Sequence, residues 1–488
     1  MKNNNKRYLI ALLFIIVLAF VFRFYNLTKH PLWNDEAETS LHALQVLEVG
    51  YPHGYFRGEP MYENTLWLPS ESDRYQYAQV NYQGSIYEKN KGWLPYYYLA
   101  LVFKLFGTPT LTARLPFVFI SLLSIIFIYL LGRELYSRKT GILASLFYAV
   151  NYLLIVNEQQ ARYYAFFVLL TLASLYFYQK LLSAGHKKYY WWLALSLILL
   201  FYTHIICWII MIIFIAVHWL FIKKKQINLQ WLISGLVILL LTLPWIFLVK
   251  FWTVFEFSLS TDLKIIWLMF IATLFSIYLI IKYFLEIFLK YKIKFSIKEF
   301  SLINLFILFY ILIVPLFMPE ESFQVRVFLQ VIALLNLSLA SHVIKLIHFR
   351  KIIKVIPVIL LLFIFFETYI YFSYDNLVYY PDWIKQSINY LEDKKVAPNT
   401  TIYAGSQQNS FTFYTSYQVQ HIAVLRKEYL DNYQDEFYII LNALRDYCLF
   451  RNKKLCQGEF LNYRDRIKKC DLKILDNETF IYHCPALN

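Results

Sequence analysis

Glycine is scarce in this chain, 12 of 488 residues, which excludes a protein built on glycine-rich loops. Charge is also scarce. Charged residues make up 16%, against about 25% in an ordinary soluble domain, so the chain is not a typical soluble fold. No GxxxxGK[ST] phosphate loop occurs, which removes that class of nucleotide site. The five cysteines include no C-x₂-C pair, which argues against a cysteine zinc site. The first apolar run ends at Arg23-Phe24-Tyr25-Asn26 rather than in a small-residue cleavage site, so no cleavable signal peptide is expected.

What is abundant is apolar and aromatic. Hydrophobic residues reach 59% and aromatics 20%, with 42 Tyr and 43 Phe. The net charge of +15 does not mark a nucleic-acid partner, because the basic residues sit between apolar runs as the positive-inside rule requires. A bilayer core takes about 20 apolar residues per helix. Runs of that kind cover 8–25, 114–132, 140–157, 163–182, 189–205, 206–222, 231–249, 264–282, 300–318, 327–345 and 355–373. The stretch 189–222 would measure about 51 Å as one helix, too long for a single crossing, and is split near Thr203-His204. A shorter apolar run, 94–106, is expected to lie in the interface or re-enter the membrane.

The expected architecture is therefore mainly α: a polytopic transmembrane bundle of about 11 spans over residues 1–373, with a C-terminal soluble α/β domain over 374–488. Lys2, Lys6, Arg7, Arg133, Arg138, Lys139, Lys180, Lys187 and Lys223–Lys225 fall in connections assigned to the inside. The long first loop, 26–113, carries Asp35, Glu36, Glu38, Glu48, Glu59, Glu63, Glu71, Asp73 and Glu88 and is assigned to the outside, as is the C-terminal domain.

In the tail, Pro381-Asp382-Trp383 reads as a helix start, and Thr401–Ala404 and Phe437–Leu441 read as strands. Cys470 and Cys484 are equidistant from Asn477. A hairpin turning there would set them opposite each other at disulfide distance. The expected pairs are Cys470–Cys484 and Cys448–Cys456, one of three connectivities, with four unpaired thiols as the alternative. Disulfides would place the tail in an oxidising compartment.

Candidate chemistry gathers on the expected outer side. Asp35 and Glu36 follow the first span closely. Asn34 or Asp35 could simply cap a helix running through Leu44, and a carboxylate so fixed could also serve as general base. Glu158 and Arg162 stand four residues apart, at the spacing of an ion pair on one helix face. An arginine there also suits a phosphate. Lys91 beside Trp93-Leu94-Pro95-Tyr96 could touch a lipid-linked phosphate or snorkel to ordinary head groups. Arg114 and Arg326 mark span ends, Tyr163 adjoins Arg162, and His204 sits at the predicted break, where it is a structural residue or a site residue. A transporter would more typically bury charges in mid-span, and these span centres are nearly free of charge. A lipid or polysaccharide transporter or flippase is the alternative reading.

The order of Arg23-Phe24, Leu27, Trp33, Asp35-Glu36-Ala37, Gly50-Tyr51-Pro52, Lys91-Gly92-Trp93-Leu94-Pro95, Ala113-Arg114-Leu115-Pro116, Gly132-Arg133-Glu134-Leu135-Tyr136 and Ala161-Arg162-Tyr163-Tyr164 resembles polytopic GT-C glycosyltransferases. The similarity is to the branch of protein O-mannosyltransferases, lipid A aminoarabinose transferase and core galacturonosyltransferases. Thr203-His204 and Arg326-Val327-Phe328-Leu329 match more weakly. The first loop, with a Tyr-rich 54–90, is longer than that pattern, and the lysine motif reads Lys-Gly-Trp-Leu-Pro. The resemblance implies transfer of a sugar from a polyprenyl-phosphate donor to a glycan, glycolipid or protein acceptor on the non-cytoplasmic face of a membrane, preferably the bacterial cytoplasmic membrane. It implies Asp35 as base, Glu36 orienting it, Glu158 as the second acidic position, and Lys91, Arg162 and Arg326 on the donor phosphate. No cofactor and no metal are expected.

Overall fold

A computed structural model describes residues 2–61, 87–88, 91–223, 228–251, 302–314, 325–347, 382–405, 407–422, 435–442, 470–475 and 479–486. The chain divides into two compact units: residues 1–24, 117–159 and 163–373 form one, and 25–116, 160–162 and 374–488 form the other. The first loop thus belongs to the same unit as the C-terminal residues.

The first unit is helical. Among the described residues six helices are long and apolar enough to cross a membrane, including Thr110–Leu135, Tyr164–Ala184 and Leu229–Leu248. Helices Arg138–Val150 and Tyr152–Glu158 together form a seventh such stretch, bent by 63°. Asn151 causes the bend. Its backbone is extended and its side chain accepts the Leu154 N–H at 3.2 Å, ending one helix and capping the next. The predicted break in 189–222 falls where expected, between Lys188–Phe201 and Ile205–Val217, with His204 as cap of the second helix: its Nδ1 accepts the Cys207 N–H. The expected spans 264–282 and 355–373 lie outside the described residues.

Two of the few glycines explain one tight crossing. A Cβ on Gly132 would sit 2.8 Å from the Gly141 Cα, and one on Gly141 would sit 2.6 Å from the Tyr129 carbonyl oxygen. Helices Thr110–Leu135 and Arg138–Val150 pass backbone to backbone there, as small residues allow. Elsewhere Ser174 donates to Ser196 at 3.0 Å between neighbouring helices, a polar bond that ties helices together where water does not compete.

The second unit contains the expected α/β fold. Its five-stranded sheet runs in the order Gln418–His421, Thr401–Ala404, Phe437–Asn442, Thr479–Cys484, Asp471–Ile474; the first three strands are parallel and the last two antiparallel. Trp383, Ile384, Leu391, Ile402, Phe411, Tyr438 and Ile481 form its core. The last hairpin pairs Leu472 with Tyr482 and Ile474 with Phe480, every pair equidistant from position 477. Cys470 and Cys484 are joined in a disulfide across that register, Cα atoms 4.5 Å apart. Cys448 and Cys456 fall outside the described residues.

The helix Asn34–Val49 packs onto this domain through Leu41, which meets Phe413 alongside Phe56 and Met61. Polar ties reinforce the contact: Leu32 N–H donates to the Tyr414 hydroxyl at 2.8 Å, Asn34 N–H to Gln407 Oε1 at 2.8 Å, and Asn409 N–H to Asn34 Oδ1 at 3.1 Å.

Candidate active site

The helix cap differs from the expectation, which placed Asn34 or Asp35 there. Trp33 takes the cap position, and Glu36 at the third helical residue accepts the Trp33 N–H through Oε2 at 3.3 Å. With Gln407 serving the Asn34 N–H, the helix N-terminus does not require Asp35, whose carboxylate turns to another partner.

Glu36 is fully buried and held from several sides. Arg114 grips it as a fork, Nε to Oε1 at 2.8 Å and Nη2 to Oε2 at 2.6 Å, and the Ala161 N–H donates to Oε1 at 2.9 Å. Arg114 spends its remaining donors on the carbonyls of Leu27, His30 and Pro31 at 2.8–3.0 Å. The pair therefore fixes the approach to the loop helix, in the bidentate geometry that makes burial of both partners affordable.

The opposite face of the same helix carries Asp35, Glu38, Thr39 and His42, at i, i+3, i+4 and i+7. Arg162 spans the first three. Its Nη2 lies 3.0 Å from Asp35 Oδ2, and its Nη1 donates to the Asp35 carbonyl at 2.7 Å, to Glu38 Oε2 at 2.8 Å and to Thr39 Oγ1 at 3.3 Å. Lys91 Nζ closes the row on Glu38 at 2.6 and 2.8 Å. Burial alone would raise the Glu38 pKa, but Lys91, His42 and Arg162 outweigh it and hold this carboxyl well below the usual carboxylate range. The two carboxylates and two cations divide by exposure: the Glu38 and Arg162 side chains are 3% exposed, Asp35 and Lys91 16% and 15%. Of these four side chains, Asp35 and Lys91 are the two partly open to solvent.

Glu158 and Arg162 do not pair across a helix turn. The helix ends at Glu158, and the next begins at Tyr164. Glu158 sits in the membrane unit with both side-chain oxygens engaged: Oε2 by Arg23 at 2.9 and 3.3 Å, Oε1 by the Tyr148 hydroxyl. Arg23 and Glu158 are both fully buried. Arg23 and Tyr148 thus take up this carboxyl, and sequence reasoning missed Arg23 as its partner. Also in the membrane unit, Arg326 donates to the Tyr164 hydroxyl at 3.0 Å, and the Tyr163 ring lies 5.1 Å from that of His204. The sequence reading also passed over Glu38 and His42, although their spacing from Asp35 was visible.

The span-capable helices make this a multi-pass membrane protein, and its fold is that of solved glycosyltransferases of the GT-C type. Residues 90–248 match the family described as dolichyl-phosphate-mannose-protein mannosyltransferase. ArnT from Cupriavidus metallidurans, in a crystal structure bound to undecaprenyl phosphate, aligns with a TM-score of 0.62 at 11% identity over 96% of this chain and 97% of that one; its apo form aligns equally well. The Archaeoglobus fulgidus oligosaccharyltransferase, in complex with zinc and sulfate, aligns with a TM-score of 0.55 at 12% identity over 92% of this chain and 70% of that one. No curated protein sequence matches the chain significantly.

Proposed function

We propose that the protein moves a sugar from a polyprenyl-phosphate donor to an acceptor on the non-cytoplasmic face of a membrane, with inversion at the anomeric carbon. The observation that carries this reading is the pairing of Asp35 with Arg162 beside the partly open Lys91. Asp35 takes the proton of the acceptor group as its oxygen or nitrogen attacks the anomeric carbon. The bond from that carbon to the phosphate oxygen breaks, and the polyprenyl phosphate departs with the electron pair. Lys91 and Arg162 meet the charge that develops on it. Glu36, locked by Arg114, holds the helix start and so aims Asp35.

Three things support the assignment. The family matched over residues 90–248 is named for a lipid-phosphate sugar donor. A solved structure of the same fold holds undecaprenyl phosphate. The acidic first loop and basic short connections support residues 26–113 and the C-terminal domain on the outer side, with the bacterial cytoplasmic membrane as the preferred setting. The acceptor is a glycan, glycolipid or protein. The transfer step itself uses no nucleotide and routes nothing through a metal. The test is to incubate purified protein with a panel of polyprenyl-phosphate sugars and follow donor loss by mass spectrometry. Consumption by wild type and none by Asp35→Asn supports the reading; equal consumption by both overturns it.

A further inference from the structure

Polar ties between the C-terminal domain and the helix Asn34–Val49 meet at the start of that helix. Two helix N-termini face each other there, that of Asn34–Val49 and that of the short helix Gln408–Tyr414. The first N–H groups of any helix have no partner within it. Here each helix takes an acceptor from the other. Gln407 Oε1 accepts the Asn34 N–H at 2.8 Å, and Asn34 Oδ1 accepts the Asn409 N–H at 3.1 Å. Asn34, Gln407 and Asn409 are all buried.

We propose that this reciprocal cap makes Gln407 a positioning residue, through which the C-terminal domain aims the Asp35 carboxylate at the acceptor group.

Asp35 is the base in the transferase reading, on which this role for Gln407 rests, and it is the second residue of its helix. Helix ends fray unless something outside holds them. The local residues do not hold this one. The Trp33 side chain makes no cap hydrogen bond, and Glu36 turns back to the Trp33 N–H, not to that of Asn34. The Asn34 N–H therefore depends on Gln407. The short helix does not need that oxygen for its own amides. The Gly405 carbonyl accepts the Gln408 N–H at 3.3 Å, and the Gln407 carbonyl accepts those of Ser410 and Phe411 at 3.0 and 3.3 Å. The Gln407 backbone thus serves its own helix while its side chain serves the other. The Ser410 hydroxyl, donating to Gln407 Oε1 at 3.2 Å, fixes how that side chain points.

Asp35 is bracketed as a result. Asn34 before it is held by the C-terminal domain. Glu36 after it is held by Arg114 and the Ala161 N–H, and its own carboxylate and carbonyl by Arg162. Arg162 grips one face of the helix, and Gln407 holds its end. A base acts only within hydrogen-bond reach of the proton it takes, and a displacement of about 1 Å can cost about 10²-fold in rate. The Tyr414 hydroxyl supplies the contrast. It accepts the Leu32 N–H at 2.8 Å, so it docks the same domain ahead of the helix without serving a helix amide.

Four forms of the full chain in detergent decide the matter: wild type, Gln407→Leu, Gln407→Glu and Tyr414→Phe. In wild type the Asn34 amide should exchange with deuterium as slowly as amides in mid-helix. Fast exchange there would overturn the cap without any variant having to fold. Gln407→Leu should speed exchange at residues 34–36 and lower kcat on a polyprenyl-phosphate sugar about 10- to 100-fold, with donor KM unchanged. Gln407→Glu keeps the acceptor and adds a charge favoured at a helix N-terminus, so it should restore both properties. Tyr414→Phe should lower the melting temperature and leave kcat near wild type. If Tyr414→Phe loses as much kcat as Gln407→Leu, the contact only docks the domain and the positioning role falls. A wild type that consumes none of the sugars overturns the transferase reading and this role with it; wild-type consumption matched by Gln407→Leu overturns the positioning role alone.

Discussion

Arg23 and Glu158, 135 residues apart in the chain, meet at 2.9 Å with both side chains fully buried. Arg23 ends the first helix and also donates to the Ala149 carbonyl at 3.1 Å, while Gln159 Nε2 donates back to the Arg23 carbonyl at 2.8 Å. The contact ties the first helix to the bent pair Arg138–Glu158. Removing one partner strands the other as an unpaired buried charge, a loss of about 3–5 kcal/mol. Arg23→Leu should therefore lower the melting temperature of the detergent-solubilised protein sharply, and the double change Arg23→Leu with Glu158→Leu should recover most of it. A single mutant that melts with wild type would show that the pair carries no stability.

The pair also shows what a sequence conceals. Most helix boundaries, the break at 202–204 and the hairpin register about position 477 follow from local signals: apolar run length, a capping histidine, symmetric cysteines. Asp35, Lys91 and Arg162 are visible as charges flanking apolar runs. Partner choice is not local. Nothing near Glu158 names Arg23 over Arg162, because the ending of the helix at Glu158, which prevents the i,i+4 pair, depends on how the chain turns through residues 159–163. Trp33 as a helix cap was equally illegible, since the amides it cannot serve are taken by Glu36 and by Gln407, more than 370 residues away.

The glycine crossing gives a prediction independent of charge. Gly141→Ala places a methyl 2.6 Å from the Tyr129 carbonyl oxygen, backbone that cannot rotate away. Helices Thr110–Leu135 and Arg138–Val150 must separate to accept it. A cost of about 1–3 kcal/mol is expected from overpacking, read as a lower melting temperature. Gly235→Ala, with nothing within 4 Å of the added carbon, should leave the melting temperature near wild type.

The disulfide closes a short loop at the edge of the C-terminal sheet. Cys470 and Cys484 are separated by 14 positions, and a closed loop of about 15 residues stabilises by about 3 kcal/mol in the chain-entropy account. The double change Cys470→Ser with Cys484→Ser should speed amide exchange in strands Asp471–Ile474 and Thr479–Cys484 first. Exchange rates matching wild type in both strands would show that the bond constrains nothing.

Arg114 distinguishes charge from geometry. Its fork holds Glu36, and its outer nitrogens hold three carbonyls at the entry to the loop helix. Lysine keeps the charge but cannot make the parallel contacts. Arg114→Lys should cost about 1–3 kcal/mol through carbonyls left unpaired and should lower transfer by loosening the helix that aims Asp35. A lysine variant with wild-type stability and rate would mean that charge alone is needed there.

Asp35 and Lys91 make the sharpest separation of roles. Both are partly open, while the groups that orient them are buried, so substitutions at these two positions should alter chemistry more than folding. Asp35→Asn keeps the shape and one hydrogen-bonding oxygen for Arg162 but removes the basic oxygen, so kcat should fall about 10²–10⁴-fold with little change in melting temperature. Lys91→Ala removes a cation proposed to meet the donor phosphate. If that cation contributes equally to the ground state and the transition state, the loss appears as a higher donor KM with kcat nearly preserved; if it serves mainly the departing phosphate, kcat falls with KM nearly unchanged. Measuring both constants against a series of polyprenyl-phosphate sugars decides between these roles, and a Lys91→Ala enzyme with both constants unchanged would remove Lys91 from the donor site altogether.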